Sequence, residues 1–275
     1  MSAKIDLLRR HVLAQVQSTP AADAIDLVIA HRVCGSVARR AAECVAAGVA
    51  GFCLRDHILE LDDTGLDLAG RSHHLDQAAH VLRQAGFIGA WRNEQLELRP
   101  DPQAPALAQV DRCVVRVLGI TTYSVHLNGH TAQGQLVVAR RAAHKRVDPG
   151  LWDNLAGGIV TAGESVHDAL VREAYEEAGL DITSMSLQQG ARLRVRRRIN
   201  EGTLVEFVHV FDVDLPAGLQ PSNRDGEVER FETRTIPAVL AAIERGEFTV
   251  EAALATLDSL ERRGHCQANS GASAA

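Results

Sequence analysis

The chain opens in helical rhythm. Ile5, Leu8, Val12 and Val16 recur at spacings of three and four, which predicts a helix over 3–17. Ile25, Val28, Ile29, Val33 and Val37 repeat the pattern ahead of Gly48, which predicts a second helix over 21–47. The period then shortens. In GFCLRDHILELDDTG, Ile58, Leu59 and Leu61 lead into an Asp-Asp-Thr-Gly turn, and a helix from Ser72 to Gln84 follows, closed by Gly86. FIGAWRNEQLELRP reads as a short hairpin, and RPDPQAPALAQ at 99–109, which fits neither period, reads as a linker. β-Branched residues dominate CVVRVLGITTYSVHLNG and GQLVVARRA, so paired strands are expected there. A turn-rich DPGLWDNLAGG precedes a helical run over 164–178, and ARLRVRRRI and TLVEFVHVFDV flank Asn200-Glu201-Gly202 as a hairpin. Helices over 235–245 and 249–263 end the pattern, and the small polar residues at 264–275 predict a disordered tail.

These elements predict two α/β units: a smaller, helix-rich one over residues 1–105 and a second over 112–250, followed by a C-terminal helix at 251–263. A length of 275 residues accommodates both without disulfides or structural metal. The net charge of −6 lacks the basic footprint of a protein that grips nucleic acid through its phosphates, so a small-molecule partner is expected. Neither a membrane span nor the apolar core of a signal peptide is visible, which points to a cytoplasmic protein. Five cysteines without a CxxC pair read as reduced thiols. His73-His74 and the His126, His130 pair lack acidic or cysteine company at zinc spacing and read as ordinary histidines. A homodimer is compatible with the sequence.

Chemistry concentrates in GGIVTAGESVHDALVREAYEEAGL. Gly158 is followed at fixed offsets by Glu164, Arg172-Glu173, apolar Ala174, Glu176-Glu177, Gly179 and apolar Leu180. On a helix, Glu173, Glu176 and Glu177 stand at i, i+3 and i+4 and crowd three carboxylates onto one face. Such crowding calls for a hard cation, Mg²⁺ with Mn²⁺ as the alternative, shared between carboxylates and substrate phosphates. The planar fork of Arg172 suits it to hold a neighbouring carboxylate, with Glu164 as a further anchor or outer metal contact. Gly158 allows close backbone approach, and Gly179 ends the helix. A solvated acidic helix end would explain Glu-x-x-Glu-Glu alone. It does not explain the flanking Gly, Glu, Arg and Gly, since seven fixed positions coincide by chance on the order of once in 10⁶ such chains.

This stretch resembles the Nudix box without departure. The resemblance implies an α/β/α sandwich with a mixed sheet, in which Glu173, Glu176 and Glu177 bind divalent metal and water attacks a diphosphate phosphorus. It implies a further carboxylate from a later loop. NRDGEVERF offers Asp225, Glu227 and Glu229, and Glu227 is favoured because a flexible Asp-Gly turn precedes it. Outside the box, YSVHLNGHT, DPGLWDNLAGG, WRNEQLEL and DGEVERF resemble two-domain Nudix proteins related to the C-terminal part of some eukaryotic thiamine pyrophosphokinase fusions. That likeness implies oxidised (oxo or oxy) thiamine diphosphate as substrate, cleaved to the monophosphate and phosphate. ADP-ribose or nucleotide diphosphate hydrolysis, and a non-catalytic ligand sensor, stand as alternatives. Isoprenoid diphosphate isomerisation is disfavoured because no cysteine lies between His126 and His130.

Lys145 is placed to reach a diphosphate near the box, and Trp91 or Trp152 to stack on a substrate ring. Residues 1–105 are expected to help close the substrate cleft, with Trp91 and Arg92 nearest to it. Arg192, Arg194, Arg196 and Arg198 share one strand face opposite Leu193 and Val195, an arrangement that protects an edge strand from aggregation.

Overall fold

The structure is a computed structural model, and it describes residues 1–16, 23–89, 91–199 and 202–264. Of the tail predicted over 264–275, residues 265–275 lie outside the described residues, as do Asn200 and Glu201 of the predicted turn.

The N-terminal helix α1 (Ser2–Val16) forms where the 3.6-residue rhythm places it. The second predicted helix does not. Ala24–Ile29 (β1) and Arg32–Ala38 (β2) pair antiparallel, and only Arg39–Gly48 (α2) is helical. The reason is legible in β1, where Ile25, Leu27 and Ile29 are buried at a period of two while the intervening positions are not. The turn between the strands uses Ala30 and His31, both at positive φ (50° and 58°), without the glycine or asparagine that normally advertises a hairpin. Phe52–Arg55 (β3) and Ile58–Leu61 (β4) complete a four-stranded sheet in the order β2-β1-β4-β3. Helix α3 (Leu68–Gln84) starts a turn earlier than expected, because the Asp67 side chain accepts the Gly70 N–H and caps it.

The expected hairpin within residues 87–100 and the linker at 99–109 are also redrawn. Gln95–Leu98 (β5) pairs with Ala108–Asp111 (β6), so the Pro-containing stretch is the loop of that hairpin. Residues 113–119, expected to be strand, form turns whose Val114, Val115, Val117 and Leu118 seal the first core. That unit is therefore less helical than the sequence pattern implied.

The second half holds a mixed seven-stranded sheet. Thr121–His130 (β7) is its spine, pairing in parallel with Gly202–Asp214 (β12) and antiparallel with Leu136–Arg141 (β8) and Ala156–Ile159 (β10). Leu187–Ile199 (β11) and Val228–Arg234 (β13) form the edges, and the short Trp152–Asp153 (β9) pairs with β8. One face carries α4 (Val166–Ala178) over Val125, Leu127 and Leu155. The other carries α5 (Ile236–Glu244) and α6 (Val250–Arg262) over Val195, Val208 and Val210, giving an α/β/α sandwich. Helix α1, grouped with residues 1–105 on the sequence pattern, instead buries Ile5, Leu8, Val12 and Val16 in this second core beside α5 and α6. Among the described residues no helix is long and apolar enough to cross a membrane.

Candidate active site

Helix α4 is set by its ends. The Ser165 hydroxyl accepts the Asp168 N–H at 3.1 Å, and Gly179 closes the helix in the left-handed region at φ 67°, with the Leu180 N–H returning to the Ala174 carbonyl. Ala169, Leu170, Ala174 and Ala178 make its apolar stripe. Glu173 and Glu177 flank that stripe and are buried against β10, where Gly157 and Gly158 lack side chains. A Cβ on Gly158 would lie 1.9 Å from Glu173 Oε1, so the glycine makes room for the carboxylate. The Gly157 N–H donates to Glu177 Oε2 at 2.9 Å.

Arg172 ties the box together. Its Nε and Nη2 donate to the two oxygens of Glu164 at 2.8 and 3.0 Å, and Nη2 also donates to the Ile159 carbonyl at 3.0 Å. Nη1 donates to Glu173 at 2.7 Å and to Glu176 at 3.1 Å. Both Glu164 oxygens are thus engaged, with Thr161 donating from its N–H and hydroxyl to Oε2. Burial opposes the charge on Glu164, but these hydrogen bonds win and hold its carboxyl below the usual range. Burial pushes Glu173 the other way, against the pull of Arg172. Glu177 is pushed up to about 8 by burial, by Glu173 and by Asp153.

The later loop completes the cluster. Carboxylate oxygens of Glu177, Asp225 and Glu227 all come within 4.8 Å of one another. Lys145 pairs with Glu227, and its own pKa is lowered by burial and by Arg141 while Glu177 opposes the shift. The cluster opens into a cleft of about 640 Å³ lined by Lys145, Gly158, Arg172, Glu173, Glu176, Asp225 and Glu227. The first half contributes its other wall with Phe87, Ile88, Arg92, Arg112 and Arg116. Ala162, in the loop before α4, donates its N–H to the Gln95 carbonyl at 2.8 Å, fastening β5 to the box.

The structure therefore gathers Glu173, Glu176, Glu177, Glu227, Lys145 and Gly158 at one place, with Glu164 joined to them through Arg172. Neither tryptophan joins them. Trp152 is buried in the second core with the guanidinium of Arg234 3.8 Å from its ring centroid, and Trp91 packs on His80 at 4.8 Å between centroids. The exposed arginines of β11 do lie on an edge strand. Sequence reasoning missed Arg197, Glu206 and Glu251, which also line the cleft. A signal existed for the first two: Arg197 occupies the apolar parity of β11 shared by Leu193, Val195 and Ile199, and Glu206 interrupts the apolar run from Leu204 to Val208.

Residues 123–254 match the family described as NUDIX domain, and residues 6–122 match one described as a domain of unknown function, DUF4743. Nudix hydrolase 20, chloroplastic, of Arabidopsis thaliana is 29% identical over 202 residues, covering 70% of this chain and 53% of that protein. The chain thus spans about half the length of that curated relative. An uncharacterised protein of Saccharomyces cerevisiae is 25% identical over 257 residues, covering 78% of this chain and 75% of its own. The crystal structure of a Deinococcus radiodurans protein, DR0079, covers 62% of this chain and 98% of its own at 28% identity and a TM-score of 0.47.

Proposed function

From a chain that joins an N-terminal DUF4743 domain to a Nudix domain, we propose a divalent-metal-dependent hydrolase of small organic diphosphates. The observation that carries this reading is the buried Glu177, whose carboxylate clusters with those of Asp225 and Glu227 and feels the charge of Glu173. A hard cation is what such a donor set fits. Glu173, Glu176 and Glu177 would hold it, together with Asp225. When bound, the ion would screen phosphate charge and acidify a coordinated water.

The chain's own residues do the rest. Arg172 holds Glu173 and Glu176 in orientation and is itself held by Glu164. Lys145 is a movable cation at the cleft wall that exchanges Glu227 for a phosphate oxygen when substrate enters. Glu227, released from Lys145, accepts the proton of the attacking water. Arg112, from the first half and paired with Glu94 at 2.8 Å, faces the same cleft, so the DUF4743 part takes part in enclosing substrate.

Oxidised thiamine diphosphate is the substrate favoured by the resemblance of the outer motifs. A panel of thiamine, oxo-thiamine and oxy-thiamine diphosphates, ADP-ribose and oxidised nucleoside triphosphates, assayed for the organic monophosphate product with Mg²⁺, Mn²⁺ or chelator, tests both levels. Release from any diphosphate only with metal supports the hydrolase. A preference for ADP-ribose over every thiamine form refutes the substrate, and tight binding without product refutes hydrolysis.

A further inference from the structure

The cleft has an inner end beyond the box. Glu206 on β12, Glu251 in the first turn of α6, Arg197 on β11, and Ser124 and His126 on β7 all line it. Glu206 and Glu251 are each only 8% exposed. Ser124 donates its hydroxyl to Glu206 Oε1 at 2.9 Å and Thr122 donates to Oε2 at 3.1 Å, which leaves further lone pairs on both oxygens. Glu251 Oε1 is buried and accepts no hydrogen bond. Arg197 Nε lies 3.4 Å from it without the geometry to donate, and the Arg197 Nη2 is spent on Asp148 at 3.0 Å.

Three carboxylates, Asp148, Glu206 and Glu251, therefore act on one guanidinium in the cleft wall. Burial raises the Glu251 carboxyl, Glu206 adds to that, and Arg197 opposes it. A buried acceptor without a donor, in a wall that faces a cleft, is a site awaiting one. An alkyl chain would strand these carboxylates, and a second anion would be repelled by them.

We propose that this inner end is the subsite for the organic part of the diphosphate, and that it takes an amino-substituted nitrogen heterocycle whose N–H groups donate to Glu251 and Glu206. The inference rests on the outer end being the diphosphate site. The cleft volume is in the range of small-molecule sites, and a ligand with its phosphates at Lys145 has its ring left to be placed.

The test uses non-hydrolysable methylene bisphosphonates carrying either an aminopyridinylmethyl or a phenylmethyl group, titrated calorimetrically into the full chain with Mg²⁺. The wild type is expected to bind the amino-bearing probe at least about tenfold tighter. Glu251→Gln is expected to shrink that preference at least about fivefold, and in the matching hydrolysable diphosphates the loss falls on KM and not on kcat. Glu206→Gln is read in the same way should Glu251→Gln fail to fold, as judged by circular dichroism. Equal binding of the two probes by the wild type, or a preference unchanged in a folded variant, overturns the proposal. Hydrolysis of both diphosphates without preference would remove this subsite and leave the hydrolase standing, whereas preference between the bisphosphonates without hydrolysis would do the reverse.

Discussion

Gly158→Ala isolates the geometry on which the site depends. Gly158 lies on β10 without positive φ, so alanine suits its backbone and any effect comes from the added methyl group. That methyl would lie 1.9 Å from Glu173 Oε1, 2.1 Å from Cδ and 2.5 Å from Oε2. Ordinary contact needs about 3.5 Å, so the carboxylate must withdraw by roughly 1.5 Å. Glu173 has little freedom to do so, being buried and bonded to Arg172 Nη1 at 2.7 Å. A misplacement of about 1 Å in a reacting constellation costs on the order of 100-fold, and overpacking costs about 1–3 kcal/mol of stability. Gly158→Ala is therefore expected to lower kcat/KM about 100-fold or more and to weaken Mg²⁺ binding. Gly157→Ala is the internal comparison, because the three atoms nearest its methyl group would be Val125 O at 3.1 Å, His126 Nδ1 at 3.2 Å and His126 Cγ at 3.3 Å, none of them a carboxylate. Steady-state kinetics, calorimetric Mg²⁺ titration and thermal melts on both variants decide it. A folded Gly158→Ala protein with kcat/KM within threefold of wild type would refute the reasoning.

Other consequences follow from the same contacts. Glu177, at about 8, must release a proton to hold a cation; the apparent Mg²⁺ affinity should rise by up to about tenfold per pH unit from about 5 to 8 and then level off, as calorimetry in buffers of different ionisation enthalpy would reveal. The sign for stability is opposite. A carboxyl whose pKa is raised by folding binds its proton more tightly in the folded state, so the chelator-treated protein should lose up to about 1.4 kcal/mol per unit as pH rises from the usual carboxylate range to about 8. A denaturation series that is flat or rising there contradicts the burial argument. Arg172→Lys keeps the charge but not the fork that spans Glu164 and Glu173; metal affinity or turnover should fall about 10- to 100-fold, and a variant that behaves as wild type in both would show that the fork is dispensable. Deleting residues 1–16 strips Ile5, Leu8, Val12 and Val16 from the core of α5 and α6. At about 1.5–3 kcal/mol per buried side chain the loss should exceed about 5 kcal/mol, and an unchanged melting temperature would contradict that packing.

The box was legible because its signals are local. Ser165 and Gly179 bracket one helix, and the spacing of Glu173, Glu176 and Glu177 fixes their common face. Lys145 and Glu227 were singled out by their neighbourhood to the box and to a flexible turn, and both line the cleft. The misreadings have two physical origins. Over 24–38 the apolar residues satisfy periods of two and of 3.6 at once, and the Ala30-His31 turn carries no residue that favours positive φ. Pairing of β1 with β2 and β4 shows which period wins. The inner cleft was hidden for a different reason, since Arg197, Glu206 and Glu251 stand on three elements and meet only through tertiary packing. The packing of α1 against α6 likewise joins residues about 250 positions apart, as in the Arg9 to Glu261 ion pair, which no local pattern encodes.

The central claim, hydrolysis at the buried carboxylate cluster, is tested most directly by following a preferred diphosphate from the substrate panel by ³¹P NMR with the wild type and with Glu177→Gln, each in Mg²⁺ and in chelator. Gln replaces a buried carboxyl of nearly the same shape, keeps an oxygen to accept the Gly157 N–H and removes the negative charge. The account predicts conversion to the monophosphate by the wild type in Mg²⁺ only, with at least about 100-fold slower conversion by a folded Glu177→Gln. Equal conversion by the two proteins, or conversion by the wild type in chelator, would contradict it.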